Sequence, residues 1–556
     1  MSTNTEEFDY IIVGAGSAGA AVAARLTEEA SISVLLLEAG GVDDKQEIVI
    51  PAAFPKLFKS DADWNYQTEP QAELKGRSIY WPRGKVLGGS SSLNAMMWVR
   101  GFAADYDNWA RLAGADWSYE ALFPYFRRAE AVEGNSDPDQ GTDGANSISH
   151  QRSPRSHTAT FLEAAAEVGM PLVAPNSANP EGVSQTMVSQ HGGMRHNTSA
   201  AYLAPAAERS NLVVRTGAHA TRVLFDGTRA VGVEYLSEGT PTSVFARREI
   251  VLSGGMLTSN IAEAYGFVKT DSSLAFPDIE VLFAAVPYIG EGLVAAPRHG
   301  VSVGAILLQP KSLGTVRLAS ADPLAKPLID PNYLGDPNGE DRDTFLAGLG
   351  VCERILAATA FASARRDGKF IQPAGSDAQT VAERDATVID EFSQTLYHPT
   401  STVRMGSDAG SVVDPELRVR GVQGLRIADA SIMPEIIRGT RMLRPTSSAR
   451  RRLIFCAHRC RPEWKRLRFT EVSPAARIAR QRASTRRRIT VAARVSLATG
   501  SGVNAPARTS CWFEVLPLKT TRSLQLPKVL GVATTARIQE PDVPLASPWR
   551  GSEGLF

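Results

Sequence analysis

Three glycines and one carboxylate supply the first chemistry in this chain. Gly14, Gly16 and Gly19 keep the spacing Gly-x-Gly-x-x-Gly, and Glu38 follows 19 residues after the last of them. That order can hold a dinucleotide. The first glycine permits a tight turn, the second lets backbone approach a pyrophosphate, and the third lets a helix pack against a strand. Free N–H groups at the helix start then face phosphate oxygens. A carboxylate at that distance accepts from both ribose hydroxyls. The residues needed to position these groups are present. Asp9-Tyr10-Ile11-Ile12-Val13 reads as a strand, the Ala-rich run after Gly16 as a helix, and Ser33-Val34-Leu35-Leu36-Leu37 as a second strand ending at Glu38-Ala39. Glycines alone would equally serve an ordinary βαβ unit packed without a ligand. The two strands, the Ala-rich helix and the acid together favour the dinucleotide.

A second stretch runs Trp81-Pro82-Arg83-Gly84-Lys85-Val86-Leu87-Gly88-Gly89-Ser90-Ser91-Ser92-Leu93-Asn94 and on to Gly101. Small residues crowd a turn here, which suits close backbone approach to a flat or phosphorylated ligand. A Gly/Ser loop with no ligand is the other use of such a run. Farther on, His398 stands in Thr395-Leu396-Tyr397-His398-Pro399-Thr400. An imidazole titrates near operating pH and can take a proton during catalysis. Capping the turn before Pro399 is its plainer alternative.

The segment from Gly84 through Asp107 resembles the first signature of the glucose–methanol–choline (GMC) oxidoreductases, flavoenzymes that oxidise alcohols. The similarity runs from about Asp9 to Gly439, and is nearest to the choline-dehydrogenase-like and alcohol-dehydrogenase-like bacterial members. It takes in Asp105-Tyr106-Asp107-Asn108-Trp109, Leu308-Gln309-Pro310-Lys311-Ser312, Leu328-Ile329-Asp330-Pro331-Asn332-Tyr333 and Tyr397-His398-Pro399. The resemblance implies an α/β chain with a discontinuous Rossmann-like FAD-binding domain and an inserted α+β substrate domain on an antiparallel sheet. It implies FAD as the dinucleotide. Gly14, Ala15, Gly16, Ser17, Ala18 and Gly19 would bind the pyrophosphate, and Glu38 with Ala39 the adenosine ribose. Trp64 would lie near the adenine and Ala220 would offer it backbone. Val86, Gly89, Ser90 and Asn94 would line the flavin side, with Asp429 and Ala430 beneath the ring and ribityl chain. His398 would be the base that takes the alcohol proton while hydride passes to flavin N5. The segments would divide as 6–110 (FAD domain, first part), 111–200 (connection to the substrate cap), 201–259 (FAD domain, second part), 260–390 (substrate domain), 391–439 (FAD and active-site segment) and 440–556 (basic tail). No histidine occurs in the 84–101 loop, so no covalent histidyl link to the flavin is expected there. No second Gly-x-Gly-x-x-Gly unit follows a strand, which counts against a two-dinucleotide flavoprotein using NAD(P)H.

Apolar residues make up 43% and charged residues 21% of the 556. Those are proportions of a globular chain with room for two or more domains. No apolar run is long enough to span a membrane, and the polar start Met-Ser-Thr-Asn-Thr-Glu-Glu is not a signal peptide. Cys352, Cys456, Cys460 and Cys511 give neither a disulfide framework nor a metal-ligand spacing. A cytoplasmic setting, with peripheral membrane association open, is the expectation. The partners expected are a small-molecule alcohol and a quinone or oxygen as electron acceptor, with no metal and no specific nucleic acid. No cage for a quaternary ammonium is legible, so choline is only one candidate substrate.

Two departures from the family pattern stand out. The net charge of +1 hides a split: residues 440–556 hold 23 Lys+Arg against 6 Asp+Glu, and the preceding part holds 37 against 53. The family's Gly-Asn-Thr-Asn-Ala-Pro-Thr ending supplies a second polar residue for the alcohol oxygen. Here Gly439 is followed by Thr440-Arg441-Met442-Leu443-Arg444-Pro445, so Met442 occupies its place. With suitable codons, loss of one base after Gly439 turns the family ending into the one seen. Residues 440–556 are therefore read as frameshifted, and as irregular or disordered. Second, Val251-Leu252-Ser253-Gly254-Gly255-Met256-Leu257-Thr258-Ser259 begins like the second GMC signature. Asn260-Ile261-Ala262-Glu263-Ala264-Tyr265 then resembles a much later family segment. Several dozen residues are missing at Ser259–Asn260, which leaves the substrate domain truncated at its start. A catalytically impaired remnant is the alternative to a working enzyme.

Overall fold

The computed structural model describes residues 6–135, 137–254, 262–296, 299–362 and 381–439. The junction at Ser259–Asn260, Met442 and the whole basic tail lie outside the described residues.

The Gly-rich segment folds as its residue types demand. β1 (Glu7–Val13) carries a fully buried Ile11 and Ile12, the pattern of a strand covered on both faces. α1 (Ser17–Leu26) follows at once. Its alanines favour helix and are small enough to let it lie close on the sheet. Only Ser17 and Arg25 of this helix escape burial. β2 (Val34–Leu37) is buried throughout. The main sheet continues with β3 (Leu212–Arg215), β4 (Ala218–Asp226), β5 (Arg229–Ser237) and β6 (Thr240–Leu252). Its order is β3-β2-β1-β6-β5-β4, and a late strand, Leu425–Ile427, also pairs with β6. The pairings β3–β2, β2–β1, β1–β6 and that of the late strand with β6 are parallel. β4 and β5 extend the sheet antiparallel. One sheet is thus assembled from stretches separated by hundreds of residues, as a discontinuous Rossmann-like domain requires. On one face the core packs α1 with Trp109 and Phe126 from two helices, Ala103–Ala113 and Tyr119–Ala129, and with Trp117 from the short turn Ala115–Trp117 between them.

A second, antiparallel sheet has the order β7 (Ala264–Val268), β8 (Ile279–Ala284), β9 (Ser302–Leu307). Two helices, Ser156–Glu167 and Glu340–Ala357, bury Phe161 and Ile355 against Ile279, Val281 and Phe283. Every residue of β9 is half-buried, and beyond it Leu313 and Leu318 are 83% and 86% exposed. This α+β unit matches the expected substrate domain in type. Among the described residues no helix is long and apolar enough to cross a membrane.

Candidate functional site

A cavity of about 320 Å³ opens where the carboxyl ends of β1 and β6 meet the start of α1. Gly14, Gly16, Ser17, Ala18, Glu38, Ala39, Trp64, Gly89, Ser90, Ala220, Asp429 and Ala430 line it. Residues far apart in sequence converge there because the main sheet collects their strands. Ala15, Gly19, Val86 and Asn94 do not line it. The Ala15 N–H donates to Glu38 Oε2 at 2.9 Å, and its carbonyl accepts from the Gly88 N–H at 2.9 Å. Gly19 serves packing: a Cβ there would stand 1.9 Å from the Gly14 carbonyl oxygen. Val86 is buried, with its carbonyl accepting from the Gly89 N–H. Asn94 Oδ1 accepts from the Met96 N–H and from Arg195 Nη1.

The loop that closes the cavity comes close enough for glycine alone. Gly89 has φ +54°, and a Cβ on it would meet the Gly16 Cα at 2.7 Å. The first N–H groups of α1 have no partner within their own helix, and Gly16, Ser17 and Ala18 present that end to the cavity. Glu38 is buried, and its Oε1 also accepts from the Gly40 N–H at 2.9 Å. Burial pushes this carboxyl above its ordinary value against the pull of those backbone donors. Each oxygen keeps a lone pair for a ribose hydroxyl. Trp64 stacks parallel to Tyr66, with centroids 5.9 Å apart, and meets the His219 ring edge-on at 5.3 Å. His219 lines the cavity, and burial, with Lys85 nearby, lowers its pKa. Asp429 Oδ1 accepts from the Ser431 N–H at 2.9 Å, and burial raises its carboxyl.

Arg83 was not singled out by sequence, yet it lines the same cavity at 3% exposure. Its Nη1 donates to the Pro82 carbonyl. Its Nε and Nη2 are buried without a hydrogen-bond partner. The guanidinium lies 4.9 Å from the Trp81 ring. Burial lowers its pKa to about 10, so the group stays charged at neutral pH. The signal available in sequence was an arginine set inside a glycine-serine loop. FAD fits this lining: amides and a guanidinium for anionic oxygens, a buried carboxylate for ribose, aromatic rings for a base.

His398 is half-buried and is not among the cavity-lining residues. Its segment is tied to the cavity floor. The Val403 N–H donates to the Ser431 carbonyl at 3.1 Å and the Met405 N–H to the Ile432 carbonyl at 2.7 Å, directly after Asp429-Ala430. Tyr397, beside His398, is buried with φ +64°. Its N–H donates to Thr395 Oγ1 at 2.9 Å, and its ring lies 6.3 Å from Phe58.

Comparisons with known proteins agree with this geometry. The N-terminal GMC oxidoreductase family model matches residues 8–296, and the C-terminal one matches 310–444. An uncharacterised GMC-type oxidoreductase of Mycobacterium tuberculosis is 47% identical over 509 residues, covering 78% of this chain and 96% of that protein. Human mitochondrial choline dehydrogenase is 34% identical (79% of this chain, 88% of that one). The alcohol dehydrogenase [acceptor] of Pseudomonas putida is also 34% identical (78% and 92%). Among solved structures, pyridoxine 4-oxidase from Mesorbium loti superposes with TM-score 0.75 at 27% identity, over 81% of this chain and 99% of that one. The Mycobacterium match spans 509 positions yet takes in only 78% of these 556 residues. Several dozen positions of that relative therefore have no counterpart here.

Proposed function

The chain belongs to the GMC oxidoreductase family of FAD-dependent enzymes, and on that premise we propose that it oxidises a primary alcohol with His398 as general base. FAD, when bound, supplies the acceptor for the hydride leaving the alcohol carbon. The chain's residues hold and deprotonate the reactants. Glu38 accepts the adenosine ribose hydroxyls, and the Gly16–Ala18 amides face the diphosphate. Trp64 and the Ala220 backbone flank the adenine. Val86, Gly89, Ser90 and Asn94 shape the flavin side, above Asp429 and Ala430. His398 removes the hydroxyl proton as the carbon–hydrogen bond breaks. The observation that carries this reading is the pairing of Val403 and Met405 with Ser431 and Ile432, which anchors the His398 segment to the cavity floor. The test is anaerobic: FAD-loaded protein is mixed with primary alcohols and the visible flavin band is followed. Bleaching that His398→Ala abolishes supports the reading. Bleaching that survives it removes His398 from the mechanism. The same protein offered oxygen or a quinone analogue then identifies the acceptor. A cytoplasmic setting is part of the proposal, with peripheral membrane association left open, and cell fractionation tests both.

A second reading, a catalytically impaired remnant, is favoured by the positions missing relative to the Mycobacterium protein. Resequencing the codons from Arg438 to Arg450 tests it. One restored base giving Gly-Asn-Thr-Asn-Ala-Pro-Thr recovers the second polar residue. An intact present frame leaves Met442 in its place, with little alcohol oxidation expected.

A further inference from the structure

We propose that Arg195, Asn197 and Thr198 form a clamp that sets the shape of the 88–94 loop for the cofactor, with Arg195 as its main positioning residue. The loop needs holding. Gly88 and Gly89 have φ of +81° and +54°, and glycine has more backbone freedom to lose than any other residue. Gly89 and Ser90 line the cavity, and a Cβ on Gly89 would stand 2.7 Å from the Gly16 Cα. A loop already held in this close approach binds a ligand more tightly than one that must order on binding. The proposal rests on FAD occupying this cavity.

The holding atoms come from a segment far along the chain: Arg195 and Ser91 are 104 residues apart. Arg195 is buried. Its Nη1 donates to the Ser91 carbonyl at 3.1 Å and to Asn94 Oδ1 at 2.7 Å, and its Nε to the Ile48 carbonyl at 2.7 Å. The Met96 N–H also donates to Asn94 Oδ1, at 3.1 Å. Two donors meeting there fix which end of the amide is the oxygen. The Thr198 N–H donates to Ser91 Oγ at 2.9 Å, and both hydroxyls reach the Gly88 carbonyl, at 2.7 Å from Ser91 and 3.2 Å from Thr198. Asn197 Nδ2 donates to Ser92 Oγ at 2.9 Å and to Asp43 Oδ2 at 2.7 Å, which ties the loop to the chain beyond β2. The clamp is itself anchored on both sides. Met194–Arg195 pairs with Gln190–His191, and the turn Ser199–Leu203 buries Ala201, Tyr202 and Leu203 in the core that holds α1. None of the three clamp residues lines the cavity, so they act through the loop.

The experiment uses the full chain and compares wild type, Arg195→Met, Arg195→Lys, Thr198→Val and the double variant Arg195→Met with Thr198→Val. Hydrogen exchange is followed in the apoprotein, and FAD affinity by fluorescence titration. Arg195→Met should speed exchange of the 88–94 amides while β1 and β6 stay protected. Its FAD affinity should fall about tenfold, the factor that one lost hydrogen bond from a charged donor supplies. Arg195→Lys keeps the charge but loses the planar fork, and should recover little. Thr198→Val changes shape least and should shift both readouts in the same direction, so the test survives if Arg195→Met does not fold. The double variant should lose less affinity than the product of the two single losses, because both act on one loop. Full recovery in Arg195→Lys overturns the proposal, since the charge and not the clamp would then matter. Exchange that rises equally through β1 and β6 overturns it as a general loss of stability. Unchanged FAD affinity in both single variants also overturns it. A wild-type protein that takes up no FAD refutes the cofactor reading instead, and the apoprotein exchange still decides the clamp: unaltered 88–94 exchange in Thr198→Val overturns it.

Discussion

Replacing Glu38 by Gln should separate cofactor binding from stability in this chain. Both carboxylate oxygens accept a backbone N–H at 2.9 Å, one from Ala15 and one from Gly40. Glutamine keeps one oxygen and turns an amide N–H₂ toward the other donor. One buried N–H then loses its partner, at a cost of about 1–3 kcal/mol. The same change removes a desolvated charge, the cause of the raised Glu38 pKa, and that gain offsets much of the loss. The apoprotein should therefore weaken by about 1 kcal/mol or less on this balance. The ligand has no such offset. Two ribose hydroxyls exchange a charged acceptor for a neutral one, about 1 kcal/mol each, so FAD affinity should fall about thirtyfold. Fluorescence titration with FAD, ADP and FMN locates the loss. ADP carries the adenosine ribose and should lose affinity with FAD, whereas FMN should not. pH gives a second readout with opposite signs. Burial holds the folded pKa of Glu38 above the ordinary carboxylate value, so its contribution to apoprotein stability is present at low pH and lost as pH rises through the folded value. FAD binding favours the charged form, so affinity should fall as pH drops through that same value and flatten in Glu38→Gln. Unchanged ADP affinity in Glu38→Gln would refute the reasoning.

Further expectations concern catalysis, packing and solubility. His398→Asn should slow anaerobic flavin bleaching by about 10²–10⁴-fold while leaving FAD content unchanged, and stopped-flow absorbance checks it. Gly89→Ala meets a positive φ and the Gly16 Cα at 2.7 Å. It should cost about 1–3 kcal/mol and lower FAD content, read by thermal melting and by the visible spectrum of purified protein. If Gly89→Ala retains full FAD, the close approach is not needed for binding. Leu313→Lys with Leu318→Lys should raise the soluble yield without altering FAD affinity, because both leucines are more than four-fifths exposed. An unchanged yield would show that these two exposed leucines do not drive aggregation.

What the sequence made legible was local. The β1–α1–β2 unit could be read because Gly14, Gly16, Gly19 and Glu38 occupy fixed offsets within one continuous stretch. Gly19 packs helix against strand as its place in the spacing predicts, since a Cβ would strike the Gly14 carbonyl, but Ala15 spends its N–H on Glu38. The spacing rule gives neighbours along the chain, not which atoms end up facing a cavity. The joining of Leu425–Ile427 to β6 was reachable only through the family resemblance, because three residues carry no period long enough to read. Arg83 shows the limit most directly. Its meaning depends on Asp63 having no free oxygen for it, and Asp63 is occupied by Tyr80, Lys59 and Asn65 through contacts that exist only after folding. An arginine in a glycine loop is ordinary until the partners it lacks are known. That is why a residue inside the best-recognised motif of the chain became a candidate cofactor ligand only in three dimensions.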